Sequence, residues 1–264
     1  MAGTSITHVI FDLDGVLFRG SKPTPWAVEA VAHLRQHGGR VAFLTNNSSR
    51  HRRDVAGHLR DLGIEADEDE VMTSGMAAAL HIRQNWPGRA AYVIGERGLT
   101  AELMEQGIPV VEHATDAGLV VVGWDRGLTF DKLVQAHQAI VAGAVFVATN
   151  RDSSYPLSDG RTCPGAGALV ASLVTSTGLE PECVGKPDPG GMRMIAMRWG
   201  VEPGQVAAVG DRLETDMAAA RACGARAILV LTGIASRTDG ESAPPSMAPD
   251  VIIDDLSWLP EALK

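Results

Sequence analysis

Short apolar runs alternate with amphipathic stretches along nearly the whole chain. The run at 8–11 is too short for a helix core and reads as a buried parallel strand. Runs at 40–44, 91–95, 108–111, 119–123, 145–149, 206–209, 227–231 and 251–253 read the same way. Helical patterns lie between them at 25–37, from the polar turn at 45–49 through Leu62, and at 74–84, 99–106 and 130–142. Further helices run to Thr177, to Trp199 and to Cys223, and a short one closes the chain. Pro25 stands near the start of the first helix and Gly38-Gly39 end it. This alternation predicts an α/β fold: a doubly wound, Rossmann-like parallel sheet covered by helices. Residues 151–167 are rich in Asp, Ser, Pro and Gly and too long for an ordinary connection. Residues 238–249 read as a mobile loop. No short internal repeat or low-complexity tract is visible.

Composition narrows the picture. The 264 residues suffice for one large or two small domains, and 45% hydrophobic content suffices for a sizeable core. A formal charge of −9 argues against a nucleic-acid groove, which would be basic. It leaves a phosphate substrate open, because one cation reverses the field in a small site. Cys163, Cys183 and Cys223 are odd in number and widely spaced, which fits neither a disulfide framework nor a zinc cluster. No apolar stretch has membrane-spanning length, and the first hydrophobic run is interrupted by Asp12. A cytoplasmic protein with no membrane partner is expected.

The candidate chemistry sits where strands end. In open α/β sheets ligands bind at the carboxyl ends of the strands. The first strand ends in Asp12-Leu13-Asp14-Gly15. Gly15 lets the chain turn, so both carboxylates could line one pocket, where a cation or proton must neutralise them. Thr45-Asn46, Lys186 and Asp211 with Asp216 follow at later strand ends or in adjoining loops. Taken singly, each also fits a turn, an exposed lysine or a helix cap. Together, an anionic nucleophile, a hydroxyl, a cation and a distal acidic pair form a coherent set for phosphoryl transfer. Mg²⁺ takes only a few protein oxygens, and Asp12, Asp211 and the backbone carbonyl near Asp14 could supply them.

Asp12-Leu13-Asp14-Gly15-Val16, Leu44-Thr45-Asn46, Lys186-Pro187 and Gly210-Asp211 with Asp216 resemble the four motifs of the haloacid dehalogenase superfamily of phosphohydrolases. The stretches Thr45-Asn46-Asn47-Ser48-Ser49, Ala148-Thr149-Asn150-Arg151-Asp152 and Pro164-Gly165-Ala166-Gly167 are similar to its NagD-type branch of phosphoglycolate and nitrophenyl phosphatases. The resemblance implies a discontinuous core, residues 1–79 and 182–264, and an inserted α/β cap, residues 80–181. It implies Asp12 as nucleophile, forming an aspartyl-phosphate, and Asp14 as acid and base. Thr45, Asn46 and Lys186 would hold the substrate phosphate. Asp12, Asp211 and the Asp14 carbonyl would hold Mg²⁺, with Asp216 orienting the ligands. Arg151 and Asp152 would belong to a cap loop facing the substrate.

The expected activity is hydrolysis of small phosphorylated metabolites. Two rivals stay open: a phosphotransferase or mutase on the same site, and a non-catalytic, receiver-like phosphate sensor. Phosphoglycolate, glycerol phosphate, a nucleoside monophosphate, a sugar phosphate and pyridoxal phosphate stay equally open as substrates. Relatives in this branch also suggest a homodimer through the cap.

Overall fold

The computed structural model describes residues 6–156 and 161–264. The chain divides into two compact units, one of Met1–Thr45, Val55–Met72 and Lys186–Lys264, the other of Asn46–Asp54 and Thr73–Gly185. These units place Asn46–Asp54 and residues 73–79 and 182–185 with the insertion, where the sequence reading had put them in the core. The reason is local bonding. Helix Ser74–Asn85 packs on helix Arg97–Glu105, and Arg52 is tied to Glu102 and Glu105 of that same helix.

The first unit is a six-stranded sheet in the order Val251–Ile253, Arg226–Val230, Val206–Gly210, His8–Phe11, Arg40–Thr45, Val71–Thr73. His8–Phe11 pairs in parallel with Val206–Val209 on one side and with Arg40–Phe43 on the other. Successive crossovers leave this central strand in opposite directions, which opens a crevice at its carboxyl end. Both faces are covered, so the central strands read as continuous apolar runs rather than alternating ones. Val9, Phe11, Leu17, Phe43, Leu59, Val209, Ile228 and Leu256 lie in its core.

The second unit is a five-stranded parallel sheet in the order Glu182–Cys183, Val145–Ala148, Leu119–Val122, Ala91–Ile94, Val110–Val111. Helices Phe130–Val141 and Ala166–Thr177 pack together, and Ile94, Val120, Val122, Ile140, Phe146 and Leu173 form its core. Thr129 caps the first of these helices by accepting from the Lys132 amide. The protein is thus an α/β protein built on parallel sheets.

Two short hairpins, Phe18–Arg19 with Lys22–Pro23 and Ser154–Pro156 with Thr162–Pro164, have no counterpart in the sequence reading. Residues 238–241, the start of the segment expected to be a mobile loop, instead belong to the short helix Arg237–Glu241, with Ser236 and Asp239 in a capping box. No helix among the described residues is long and apolar enough to cross a membrane.

Candidate active site

The crevice at the end of the central strand gathers Asp12, Lys186, Asp211 and Asp216. The Asp12 amide donates to Val209 O of the neighbouring strand (2.9 Å), so Asp12 stands at the last paired position. Gly15 then turns the chain with φ +84°, a conformation glycine adopts freely. Its carbonyl accepts from Thr232 Oγ1 (2.7 Å). Asp14 lies on this turn and is exposed.

Lys186 arrives on a cis Lys186-Pro187 peptide and is only 4% exposed. Its ammonium donates to Asp12 Oδ1, to Asp216 Oδ1 (2.6 Å) and to Leu44 O (3.3 Å). Burial alone would depress its pKa, but the Asp12 and Asp216 carboxylates hold it well above the ordinary lysine value. The lysine is a fixed positive charge at any physiological pH.

Asp211 follows strand Val206–Gly210. Its Oδ2 accepts from the Ile234 amide (2.9 Å), and its backbone O accepts from Ala235 N (3.0 Å). Its other carboxylate oxygen, Oδ1, is buried with no hydrogen-bond partner. Burial, and then the Asp216 charge, push Asp211 up to about 6. Burial also drives Asp12 well above the usual carboxylate range; Lys186 opposes that rise, and Asp216 and Asp211 add to it. Asp216 sits on the wide turn Leu213–Met217, closed by a bond from Met217 N to Arg212 O, and accepts from the Arg212 amide (3.2 Å). It therefore orients Lys186 and the Arg212 turn.

Carboxylate oxygens of Asp12, Asp211 and Asp216 lie within 4.8 Å of one another. An orphaned buried carboxylate oxygen is an expensive group unless something positive meets it. An all-oxygen donor set with one such atom fits a small hard divalent cation. A second cluster, His51, Glu102 and Glu105, has comparable spacing, but Arg52 already engages both of its carboxylates.

Three glycines make this geometry: the sequence places Gly15 and Gly210 beside the motif aspartates, and Gly233 alone falls outside the motifs. A Cβ on Gly15 or Gly233 would collide with the Asp211 side chain, and one on Gly210 with Asp216. The available signal was a glycine just after each of two strand ends.

Thr45 ends its strand, buried, in the same unit. Asn46, the next residue, groups with the second unit, where its Nδ2 donates to Asp152 Oδ1 (3.0 Å) and Oδ2 (3.2 Å). Arg151 pairs with Glu180 on the surface. Residues 157–160 of the expected substrate loop lie outside the described residues.

Comparison with known proteins agrees with this architecture. Residues 9–109 match the family model described as haloacid dehalogenase-like hydrolase, and residues 183–259 match a second, HAD-hydrolase-like model. The chain is 34% identical to phosphoglycolate phosphatase 1A of Arabidopsis thaliana, over 96% of this chain and 76% of that protein. It is 38% identical to D-glycerol 3-phosphate phosphatase of Mycobacterium tuberculosis, over 95% of this chain and 70% of that one. The structure of a p-nitrophenyl phosphatase from Archaeoglobus fulgidus superposes with a TM-score of 0.91 at 35% identity, covering 98% of this chain and 100% of that one. The M. tuberculosis glycerol phosphate phosphatase in complex with magnesium gives 0.90 at 36% identity, with coverages of 98% and 78%.

Proposed function

The chain belongs to the haloacid dehalogenase-like hydrolases and is a phosphatase, and we propose that it hydrolyses small phosphomonoesters with Mg²⁺ through an aspartyl-phosphate on Asp12. The observation that carries this reading is the buried Lys186 ammonium, bonded to Asp12 and Asp216 beside an Asp211 carboxylate with an unpartnered oxygen.

Asp12, Asp211 and the Asp14 backbone carbonyl would hold Mg²⁺, which when bound neutralises the carboxylates and draws in a phosphate dianion. Asp12 attacks phosphorus, and the P–O bond to the organic group breaks. Asp14, on the exposed turn, gives its proton to the departing oxygen. It then takes a proton from the water that cleaves the acyl phosphate, which releases inorganic phosphate and restores Asp12. Lys186 and Thr45 hold the phosphoryl oxygens as charge spreads over them. Asp216 keeps the Lys186 ammonium aimed and does not react.

The named relatives act on phosphoglycolate and on glycerol 3-phosphate. We assign this chain the same substrate class, a small organic phosphate. The test is release of inorganic phosphate from p-nitrophenyl phosphate, phosphoglycolate and glycerol 3-phosphate. Turnover should need Mg²⁺ and stop on chelation. Full turnover by metal-stripped protein would overturn the metal assignment. Transfer to an added alcohol in preference to water would point to a phosphotransferase.

A further inference from the structure

We propose that Thr232 is a positioning residue: its hydroxyl pins the glycine turn that carries Asp14 and ties it to the loop that seats Asp211. This inference deepens the phosphatase reading above and rests on it.

The turn needs an outside hold. Asp14 is followed by Gly15 at φ +84°, where a Cβ would strike the Asp211 carboxylate and lie 3.0 Å from Gly233 Cα. The position is therefore closed to any residue that would stiffen it, and glycine has more conformational freedom than any other residue. Hydrogen bonds supply the stiffness instead. The Gly15 amide donates to Phe18 O (2.8 Å), and the Gly15 carbonyl accepts from Thr232 Oγ1 (2.7 Å). The next carbonyl, that of Val16, accepts from the hydroxyl of buried Thr24. Thr24 is 8 residues along the chain, so its bond shapes the turn from within. Thr232 is 217 residues away and fixes the turn against the end of another strand.

Thr232 is well anchored for this task. It follows strand Arg226–Val230, the neighbour of the strand that leads to Asp211. On one side of it, Leu231 N donates to Ile253 O (3.0 Å). On the other, Gly233 O accepts from Arg19 Nη2 (2.9 Å), Ile234 N donates to Asp211 Oδ2 (2.9 Å) and Ala235 N donates to Asp211 O (3.0 Å). Gly233 lets the loop lie this close, since a Cβ there would strike the Asp211 side chain. The loop 231–235 thus holds Asp211 with two amides and the Asp14 turn with one hydroxyl. All of these groups belong to the six-stranded unit.

Asp12 stands in the paired strand and does not depend on this tie. Asp14 does, because it lies on the turn itself. A misplacement on the order of 1 Å can slow a proton transfer by about 100-fold. Loss of the Thr232 hydroxyl should therefore fall on the step that needs Asp14 as acid and spare attack by Asp12.

The experiment compares T232V and T232S with wild type at saturating Mg²⁺ and with enzyme in excess, so that one turnover is read. One ester is p-nitrophenyl phosphate, whose leaving group needs no acid. The other is whichever of phosphoglycolate and glycerol 3-phosphate the wild type cleaves faster, since each releases an alkoxide that does. T232V should slow alkyl ester cleavage by about 10- to 100-fold and leave nitrophenolate release nearly intact. T232S keeps the hydroxyl and should restore most of the loss. Amide hydrogen exchange across residues 13–18 of the metal-free protein should quicken in T232V and not in T232S. T232A is read in place of T232V should the latter not fold. Equal losses on both esters, a T232S no faster than T232V, unchanged exchange, or a lowered Tm with both rates intact would overturn the proposal. Asp12→Asn separates this from the reading beneath it. An inactive Asp12→Asn beside an unaffected T232V removes the inference alone, whereas Asp12→Asn turning over at the wild-type rate removes the phosphatase mechanism and the inference with it.

Discussion

Replacing Lys186 with methionine keeps roughly the shape of the side chain and deletes its charge. The ammonium is bonded to two carboxylates and one carbonyl in a pocket that leaves the residue 4% exposed. Methionine leaves Asp12 and Asp216 unpaired, with Asp211 within 4.8 Å of both. At an effective dielectric of 20, one pair of unit charges about 4 Å apart interacts by about 4 kcal/mol. Two attractions disappear and the repulsions among three carboxylates are unmasked. Protonation relieves part of this, so the net loss should match that of other broken buried pairs, about 3–5 kcal/mol. For a chain of this size that lowers Tm by about 6–20 °C at pH 7.5. The deficit should shrink with acidification. Without the lysine, burial and mutual repulsion raise the carboxylate pKa values of the folded state above their unfolded values. The folded state then binds more protons than the unfolded one, so stability rises as pH falls through those raised values. Thermal unfolding of wild type and variant at pH 7.5 and 5.0, in chelator, measures both effects. A variant within 2 °C of wild type at pH 7.5, or one whose deficit grows at pH 5.0, would refute the reasoning (the 2 °C bound is roughly 1 kcal/mol).

Two further outcomes follow from the acidic cluster. Asp211, raised from the ordinary 3.8 to about 6, destabilises the metal-free protein fully above pH 6, and this penalty shrinks as pH falls from there towards 3.8. Saturating Mg²⁺ should therefore raise Tm clearly at pH 7.5 and much less at pH 5.0, where protons compete for the same oxygens; an equal rise at both would reject Asp211 as a ligand. Gly233→Ala should weaken Mg²⁺ binding by about 10- to 100-fold in titration calorimetry, because the added methyl displaces the Asp211 side chain; unchanged affinity would show that the loop simply moves aside.

How much of this was legible in the sequence differs from residue to residue. The apolar run ending at Asp12 forms the predicted central strand because both of its faces are covered, and hydrophobic continuity reports that directly. Helix Phe130–Val141 and strand Val251–Ile253 were readable from the same kind of period. Lys186 and Asp216 were visible as charges in sequence order, but not as bonded partners, since nothing local records a contact across 30 residues. Trp26 shows a second limit. It precedes helix Ala27–Gln36 with φ 66°, a left-handed conformation that a bulky side chain rarely adopts and no hydrophobic pattern signals. Asn46 shows a third. Its place in a polar turn was legible, but its bonds to Asp152 and Asn150 span over 100 positions and depend on the fold of the whole insertion.

The central claim is that Asp12 carries the phosphoryl group. Asp14→Asn protein should accumulate that intermediate when given p-nitrophenyl phosphate and Mg²⁺, because nitrophenolate leaves without an acid while hydrolysis of the acyl phosphate lacks its base. Rapid acid quench, proteolysis and peptide mass mapping then locate the adduct. The account predicts a phosphoryl group on Asp12 that is absent from Asp12→Asn/Asp14→Asn protein. A phosphoryl group on any other residue, or nitrophenolate release by Asp12→Asn at the wild-type rate, would contradict it.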